Sequence, residues 1–208
     1  IVSGLTHEIP GRALSLPAAN LPRSVTDVDA TRIGNLALQS LAVDCLKTLR
    51  TKQIEACMEL PFLHQVETFI LDSPYDPYTQ FVHNFMERAT SLRRAVLHGV
   101  TLRPIHFGVF PTLPPTLTSL TIDGILEIPE AMSTHPNLTE LSLLKATMYQ
   151  PLKPSNLPPN LTSFKAKNAY YATWLACTTD PFPPKITHLD IAAYLRYESI
   201  EQFNLPPA

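Results

Sequence analysis

A six-residue hydrophobic frame recurs along the chain, and its spacing constrains the fold more than any other sequence feature. The frame reads apolar-x-x-apolar-x-apolar, and it starts at eight positions that lie 20 to 26 residues apart. Of its 24 apolar positions 23 are filled as expected, the exception being Thr51, whereas only Ile70 and Val96 are apolar among the 24 positions between. Repeats of this period predict a solenoid, because one repeat cannot bury its apolar side without a neighbour.

The framed residues are predicted to form one shared core. Alternation along a strand turns the fourth and sixth frame positions inward and leaves the fifth on the opposite face. The predicted core residues are Val25, Val28, Leu46, Leu49, Val66, Phe69, Leu71, Leu92, Leu97, Leu117, Leu120, Ile122, Leu138, Leu141, Leu143, Leu161, Phe164, Ile186, Leu189 and Ile191. Burial of each such side chain contributes about 1.5 kcal/mol or more, so packing between repeats is expected to dominate stability.

Proline precedes several of the frames, as in "LPPTLTSLTI" (113–122) and "LPPNLTSFKA" (157–166). The chain has 21 prolines in 208 residues, a share that a helical bundle would not tolerate because proline breaks helices. Before a strand, proline is expected to hold the incoming chain extended while no ladder hydrogen bond is yet required. Leu21, Leu113 and Leu157 are predicted to fill the core beneath that corner.

The frame and its period resemble the leucine-rich repeat, LxxLxLxxN/CxL, over residues 25–195. The stretch "YQPLKPSNLPPNLTSF" is similar to the FNIP repeat, a relative with FNxP and LPxxLTxL elements, and proline-led LPxxLxxL repeats of bacterial effectors are a looser likeness. The resemblance implies an α/β horseshoe with a parallel sheet on its concave face and short helices, 3₁₀ turns and extended segments on its convex face. The usual asparagine after the frame is absent, so the turns need other partners for their backbone groups.

The repeats also set the expected organisation of the chain. Residues 1–20 are predicted to be a partial repeat or lead-in, and residues 21–208 to form about eight repeats, a fragment of a longer array. Helical spacing predicts one helix within 79–94, a second helix from residue 33 to about residue 44, and one or two helical turns in 170–180. The shorter connection 123–137 suits extended or 3₁₀ turns.

Charge and motifs exclude several classes of function. The net charge of −2 lacks the basic excess of a nucleic-acid binder. The three cysteines (Cys45, Cys57 and Cys177) lack metal-ligand spacing, and no apolar run is long enough to span a bilayer. With no signal peptide visible, a cytoplasmic location is expected. We expect no cofactor, no metal, no catalytic residue, and no nucleic acid, membrane or small-molecule substrate as partner.

Charged and apolar residues of neighbouring central repeats predict a partner-binding surface on the concave face. The predicted binding residues are Glu67, Ile70, Asp72, Arg93, Arg94, Val96, His98, Thr118, Thr121, Asp123 and Glu140. Ile70 and Val96 are expected to be exposed there, and arginine beside apolar anchors is frequent at protein–protein hot spots. The alternative is a surface ion-pair cluster that contributes little free energy.

Two further patterns, a row of threonines and a repeated Asn-Leu-Thr motif, can each be explained by the repeat structure or by a function. Four consecutive repeats carry threonine at the second frame position, which suits β-propensity and cross-strand hydroxyl contacts, or else a regular ligand surface. The motif Asn-Leu-Thr at 137–139 and 160–162 matches a glycosylation acceptor, but it falls inside the repeat itself.

The leading hypothesis is a non-enzymatic module that binds another protein on its concave sheet. The alternative is the substrate-recognition part of a larger enzyme, such as a ubiquitin ligase, whose catalytic or adaptor segment lies outside this chain. A third hypothesis is a hydrolase that uses Asp72 and His98, which share a column with Asp123. No serine or cysteine nucleophile accompanies that column, so catalysis is the least favoured.

Overall fold

Eight parallel strands form one sheet in which each strand pairs with the next strand along the chain. The computed structural model describes residues 24–31, 45–58, 60–73, 79–102, 113–126, 130–147, 153–167 and 181–192. The strands are β1 (Asp27–Asp29), β2 (Thr48–Thr51), β3 (Thr68–Asp72), β4 (Arg94–Leu102), β5 (Ser119–Leu126), β6 (Glu140–Thr147), β7 (Ser163–Lys167) and β8 (His188–Ala192). The prediction of a parallel sheet built from successive repeats is confirmed, and the arrangement is solenoid-like and not closed into a barrel.

The register places equivalent frame positions side by side across the sheet. Leu120 of β5, for example, lies opposite Ala95 of β4 and Leu141 of β6. Since every pair of strands keeps this alignment, residues of one frame position form a column that crosses the sheet. We call the face that carries the fourth and sixth positions the covered face, and the opposite one the open face.

The covered face holds the core. From Leu49 to Phe164 every residue at the fourth frame position exposes 1% or less of its surface, and the first and sixth positions are also buried. On β8, Leu189 and Ile191 are only partly buried. No further strand of the described chain lies beyond β8 to cover them.

Thr51 is the one polar residue in the frame, and the structure satisfies its hydroxyl. The side chain is buried on β2, where Oγ1 accepts a hydrogen bond from the Gln53 amide at 3.1 Å. The same hydroxyl donates to the Gln53 carbonyl at 3.3 Å. A buried threonine is therefore tolerated in this column, because the turn after β2 supplies both partners.

Within the described residues, one α-helix and several 3₁₀ turns add side chains to the core. Helix α1 (Thr79–Arg88) stacks Phe85 on Phe69 of β3, with ring centroids 3.9 Å apart. The helix lies within the predicted range 79–94 and ends at Arg88, since Leu92 enters the core and β4 begins at Arg94. The 3₁₀ turns are Glu55–Cys57, Leu63–Gln65, Glu130–Thr134 and Pro154–Asn156.

Three sequence predictions fall outside the described residues. These are the lead-in at residues 1–20, with Leu21 after it, and the helices expected within 33–44 and 170–180.

The prolines before the strands form tight turns. The Pro158 carbonyl accepts a hydrogen bond from the Leu161 amide at 3.2 Å, and the Pro183 carbonyl accepts one from Ile186 at 3.2 Å. Pro159 and Pro184 thus occupy the second position of a four-residue turn, for which the fixed φ of proline is suited. The expectation that proline holds the incoming chain extended is wrong for Pro159 and Pro184, because the chain turns there before it enters the sheet.

The leucines ahead of these turns are buried, with Leu113 exposing 4% and Leu157 exposing 2%.

A shared carbonyl marks the entry of each strand after β1. The Thr139 carbonyl accepts hydrogen bonds from both the Thr162 amide at 2.8 Å and the Ser163 amide at 3.0 Å. The same pair of bonds, from the second and third frame positions to the second position of the preceding repeat, recurs at all seven strand interfaces. The prolines end before this point, so their missing N–H groups do not interrupt the ladder.

A bulge recurs two residues after the frame in three consecutive repeats. Gly99 (φ +68°), Gly124 (φ +153°) and Lys145 (φ +50°) occupy this eighth position. The register of β4 with β5 and of β5 with β6 shifts there. A Cβ at Gly124 would overlap the Val100 carbonyl oxygen, and one at Gly99 would overlap the Ser73 carbonyl oxygen.

The core columns predict opposite results for two neighbours on β5. Leu120→Ala should lower the free energy of unfolding by about 2–5 kcal/mol, because it leaves a cavity between two stacked neighbours. Thr121→Ala on the open face should change it by about 0.5 kcal/mol or less. Urea unfolding followed by circular dichroism measures both, and equal losses would contradict the assignment of the two faces.

The bulge predicts contrasting effects of two substitutions at the same frame position. Gly124→Ala should lower the free energy of unfolding by about 2 kcal/mol or more, since the added Cβ meets a backbone carbonyl and the positive φ is strained. Lys145→Gly should leave it unchanged or raise it by about 1 kcal/mol, because glycine relieves a left-handed conformation. Thermal unfolding of the two variants checks this, and a clear loss in Lys145→Gly would argue against the bulge.

Candidate functional site

The open face of the three central strands carries a grid of nine side chains, which we call the central grid. Alternate residues of β3, β4 and β5 face the same side, and the register aligns them in three rows. The entry row is Thr68, Arg94 and Ser119, the middle row is Ile70, Val96 and Thr121, and the exit row is Asp72, His98 and Asp123. Six residues of the predicted binding surface belong to the second and third rows, and Arg94 belongs to the first.

The exit row is part of a line of charges that crosses five strands. The His98 ring lies between two carboxylates, with Nε2 3.9 Å from Asp72 Oδ1 and Nδ1 3.6 Å from Asp123 Oδ2. Arg50 of β2 binds Asp72 Oδ2 through Nε and Nη2, both at 2.6 Å. Lys145 of β6 approaches Asp123 Oδ2 at 3.5 Å. We call these five residues the charge row.

Every member of the charge row has a partner within the row. The hydrogen bond and charge of Asp72 raise the pKa of the Arg50 guanidinium, so Arg50 stays protonated. Asp72 and Asp123 expose 20% and 22% of their side chains, because their neighbours cover the rest. The row is therefore an internally neutralised element of the face, in which the cations Arg50 and Lys145 close the two ends.

The exit row contains Asp72 and His98, the residues of the hydrolase hypothesis, together with Asp123. Asp72, His98 and Asp123 lie in a line across three strands, and no group of three His, Cys, Asp or Glu side chains in the described ranges is placed to hold a metal ion. Cys57 is fully buried, and burial raises the pKa of its thiol to about 12, so it does not form a thiolate at neutral pH.

The middle row supplies the apolar part of the face. Val96 was expected to be exposed, and this is wrong: it shows only 9% of its surface. Its branched side chain lies between Ile70 and Thr121 in register, with Arg94 and His98 before and after it on the same strand. Ile70 is half-buried, and it leaves an apolar strip at the centre of the open face.

The two arginines at the start of β4 differ from the other cations of this region. Arg93 and Arg94 are exposed, and within the described chain neither has a carboxylate within 4.0 Å. The nearest acidic column neighbour, Glu67, pairs instead with Lys47 at 3.1 Å. Glu140, an exposed residue of β6, lies opposite Ser119.

The threonines at the second frame position form a ladder at the entry edge of the sheet. The Thr139 hydroxyl donates to the Thr118 carbonyl at 3.2 Å, and Thr162 donates to the Thr139 carbonyl at 3.0 Å. Thr118 and Thr187 make the same bond to the preceding repeat. These hydroxyl groups already donate hydrogen bonds to backbone carbonyls of the sheet, which favours the cross-strand explanation over a regular ligand surface.

Asparagines just before the frame form a second ladder. Asn137 Nδ2 donates to the Pro115 carbonyl at 2.6 Å, and Asn160 Nδ2 donates to the Pro136 carbonyl at 2.9 Å. The turn carbonyls thus find side-chain partners on the entry side of the strands, although the asparagine after the frame is missing. The Asn-Leu-Thr motif accordingly has a structural role, since both its amide and its hydroxyl bind the backbone.

Comparisons with protein-family models, with curated proteins and with solved structures gave no match to this chain. Among the helices in the described part of the chain, none combines the length and hydrophobicity needed to span a membrane.

Two members of the charge row, Arg50 and Lys145, were not predicted from the sequence. Arg50 stands at the fifth frame position and Lys145 at the eighth, so neither shares the seventh-position column of Asp72, His98 and Asp123. A search for opposite charges on neighbouring repeats, allowing an offset of one or two positions, would have found both. The bulge at Lys145 brings its side chain within reach of Asp123.

The charge row predicts coupling between its members. In a double-mutant cycle, Arg50→Ala and Asp72→Ala should show an interaction free energy of about 0.5–1 kcal/mol that decreases in 1 M salt. Arg94→Ala, which removes an unpaired cation on a neighbouring strand, should show coupling near zero with Asp72→Ala. Chemical denaturation of the single and double variants measures both, and equal coupling would contradict the pairing.

Proposed function

We propose that this chain is a leucine-rich-repeat solenoid of the proline-led kind, and that it binds another protein through the open face of its sheet. In such a solenoid the open face is the concave one. Eight parallel strands in chain order support this architecture. The two-proline turns ahead of β7 and β8 support the proline-led subclass.

The difference between the two faces of the sheet carries the proposal. The buried side chains of α1 and of the 3₁₀ turns, such as Phe85, Leu63 and Met132, belong to one core with the framed residues of the covered face. Nothing comparable lies on the open face within the described chain, where Ile70 remains half-buried beside exposed charges. An apolar strip bordered by polar and charged residues is the usual composition of a protein-binding surface.

The chemistry of the open face favours binding over catalysis. His98, which lies between the carboxylates of Asp72 and Asp123, is part of the neutralised charge row. Polar side chains at the entry edge, such as Thr139 and Thr162, already donate to the backbone. Residues of this kind hold a surface in a fixed shape, and a fixed shape reduces the entropy lost on association.

The proposal predicts that a bulky uncharged side chain on the open face blocks binding. Thr121→Trp should reduce capture of partner proteins from an extract of the source cells at least about fivefold, because the indole covers the strip beside Val96. Arg88→Trp, on the exposed surface of α1, is the matched control and should capture the same proteins as the unmodified chain.

Quantitative mass spectrometry of the captured proteins measures the effect, and far-UV circular dichroism verifies that both variants are folded. Capture that is unchanged by Thr121→Trp, or reduced equally by Arg88→Trp, would show that the partner does not use the open face.

A further inference from the structure

The exposed cations on the strands and at their ends fall into two groups. Most are neutralised by a neighbouring strand, as Lys47 is by Glu67 at 3.1 Å and Lys167 is by Asp190 at 3.1 Å. Arg93 and Arg94 have no such partner in the described chain, and both are exposed. Lys52 is also unpaired there, but it lies beyond the end of β2.

The surroundings of Arg94 are those of an anion site. Arg94 lies in register between Thr68 and Ser119, so its row carries hydroxyl groups on the two neighbouring strands and no carboxylate. Neighbouring strands are about 4.8 Å apart, so an incoming carboxylate that pairs with Arg94 meets no like charge from either neighbour in this row. A guanidinium presents paired N–H donors that match the two oxygens of a carboxylate.

The next residue of β4 on the same face as Arg94 is apolar. Val96 follows Arg94 by two residues on the same face, and the rise of a strand places it about 7 Å away. Together with Ile70 it forms the apolar strip of the middle row. An extended segment that runs along β4 has the same spacing between side chains two residues apart.

From this juxtaposition we infer that the partner is an extended acidic peptide segment. It carries a glutamate or aspartate for Arg94, and an aliphatic residue two positions away that packs on the half-buried Ile70 next to the buried Val96. The charge row at the far side of the strip is neutralised within the chain, so it closes the site without adding a net charge. This inference rests on the proposed function, since it specifies the partner of the same face.

Selection of a random dodecapeptide phage library on the immobilised chain tests the inference. Enriched peptides should contain an acidic and an aliphatic residue two positions apart. By fluorescence polarisation, Arg94→Glu should weaken a selected peptide at least about tenfold. Arg88→Glu, which changes the net charge equally but lies on α1, should alter its affinity less than about twofold. A peptide with lysine in place of its acidic residue should bind Arg94→Glu more tightly than the unmodified chain.

The other outcomes separate the two proposals. Two results would overturn the acidic partner and leave the open-face proposal standing. The first is enrichment of peptides that lack an acidic residue. The second is a peptide whose affinity is unchanged by Arg94→Glu but reduced by Thr121→Trp. Failure to enrich any peptide, or binding unaffected by both substitutions, would overturn both. Displacement of the peptide by an equal concentration of a single-stranded DNA oligonucleotide would assign the arginines to nucleic acid and also overturn the acidic peptide. Unfolding curves for Arg94→Glu and for the milder Arg94→Gln verify that lost affinity is not lost structure.

Discussion

Side-by-side stacking of aliphatic columns is the interaction on which this structure depends. No repeat encloses its own apolar residues, so each of Leu120, Leu141 and Phe164 is buried only because an equivalent residue lies on the adjacent strand. At the β8 end of the described sheet Leu189 and Ile191 are only partly buried, whereas Val28 and Ala30 at the β1 end are buried. Stability in such an array is approximately a sum of the stabilities of single repeats and of the interfaces between neighbours.

The polar details of the fold maintain that stacking. Ahead of β5 to β8 a turn with proline at its second position leads the chain into the sheet, and from β2 onward a shared carbonyl at the second frame position sets the register of the next strand. Threonine and asparagine ladders add side-chain bonds along the same edge in the later repeats. These contacts all lie at the entry side of the strands, whereas the bulge at Gly99, Gly124 and Lys145 lies at the exit side.

The features that recur in every repeat could be predicted from the sequence, whereas features that depend on the particular side chains around one residue could not. The apolar frame and its period of 20 to 26 residues defined the strands and the inward residues, and the resemblance to leucine-rich repeats implied their parallel order. The burial of Val96 was not predicted, because it arises from side chains on either side of it in space. The bulge was equally hidden, although glycine at the same frame position in two successive repeats was a usable signal.

The alternation of charge between neighbouring strands has a consequence for how such an array can change its length. Basic Lys47 and Arg50 of the second repeat lie beside acidic Glu67 and Asp72 of the third, and the fourth is basic again. Loss of the third repeat alone would bring two basic repeats together, whereas loss of two adjacent repeats would restore a basic–acidic boundary. Insertions and deletions in this part of the molecule are thus expected to be tolerated in pairs, as if the unit of growth were a doublet of repeats.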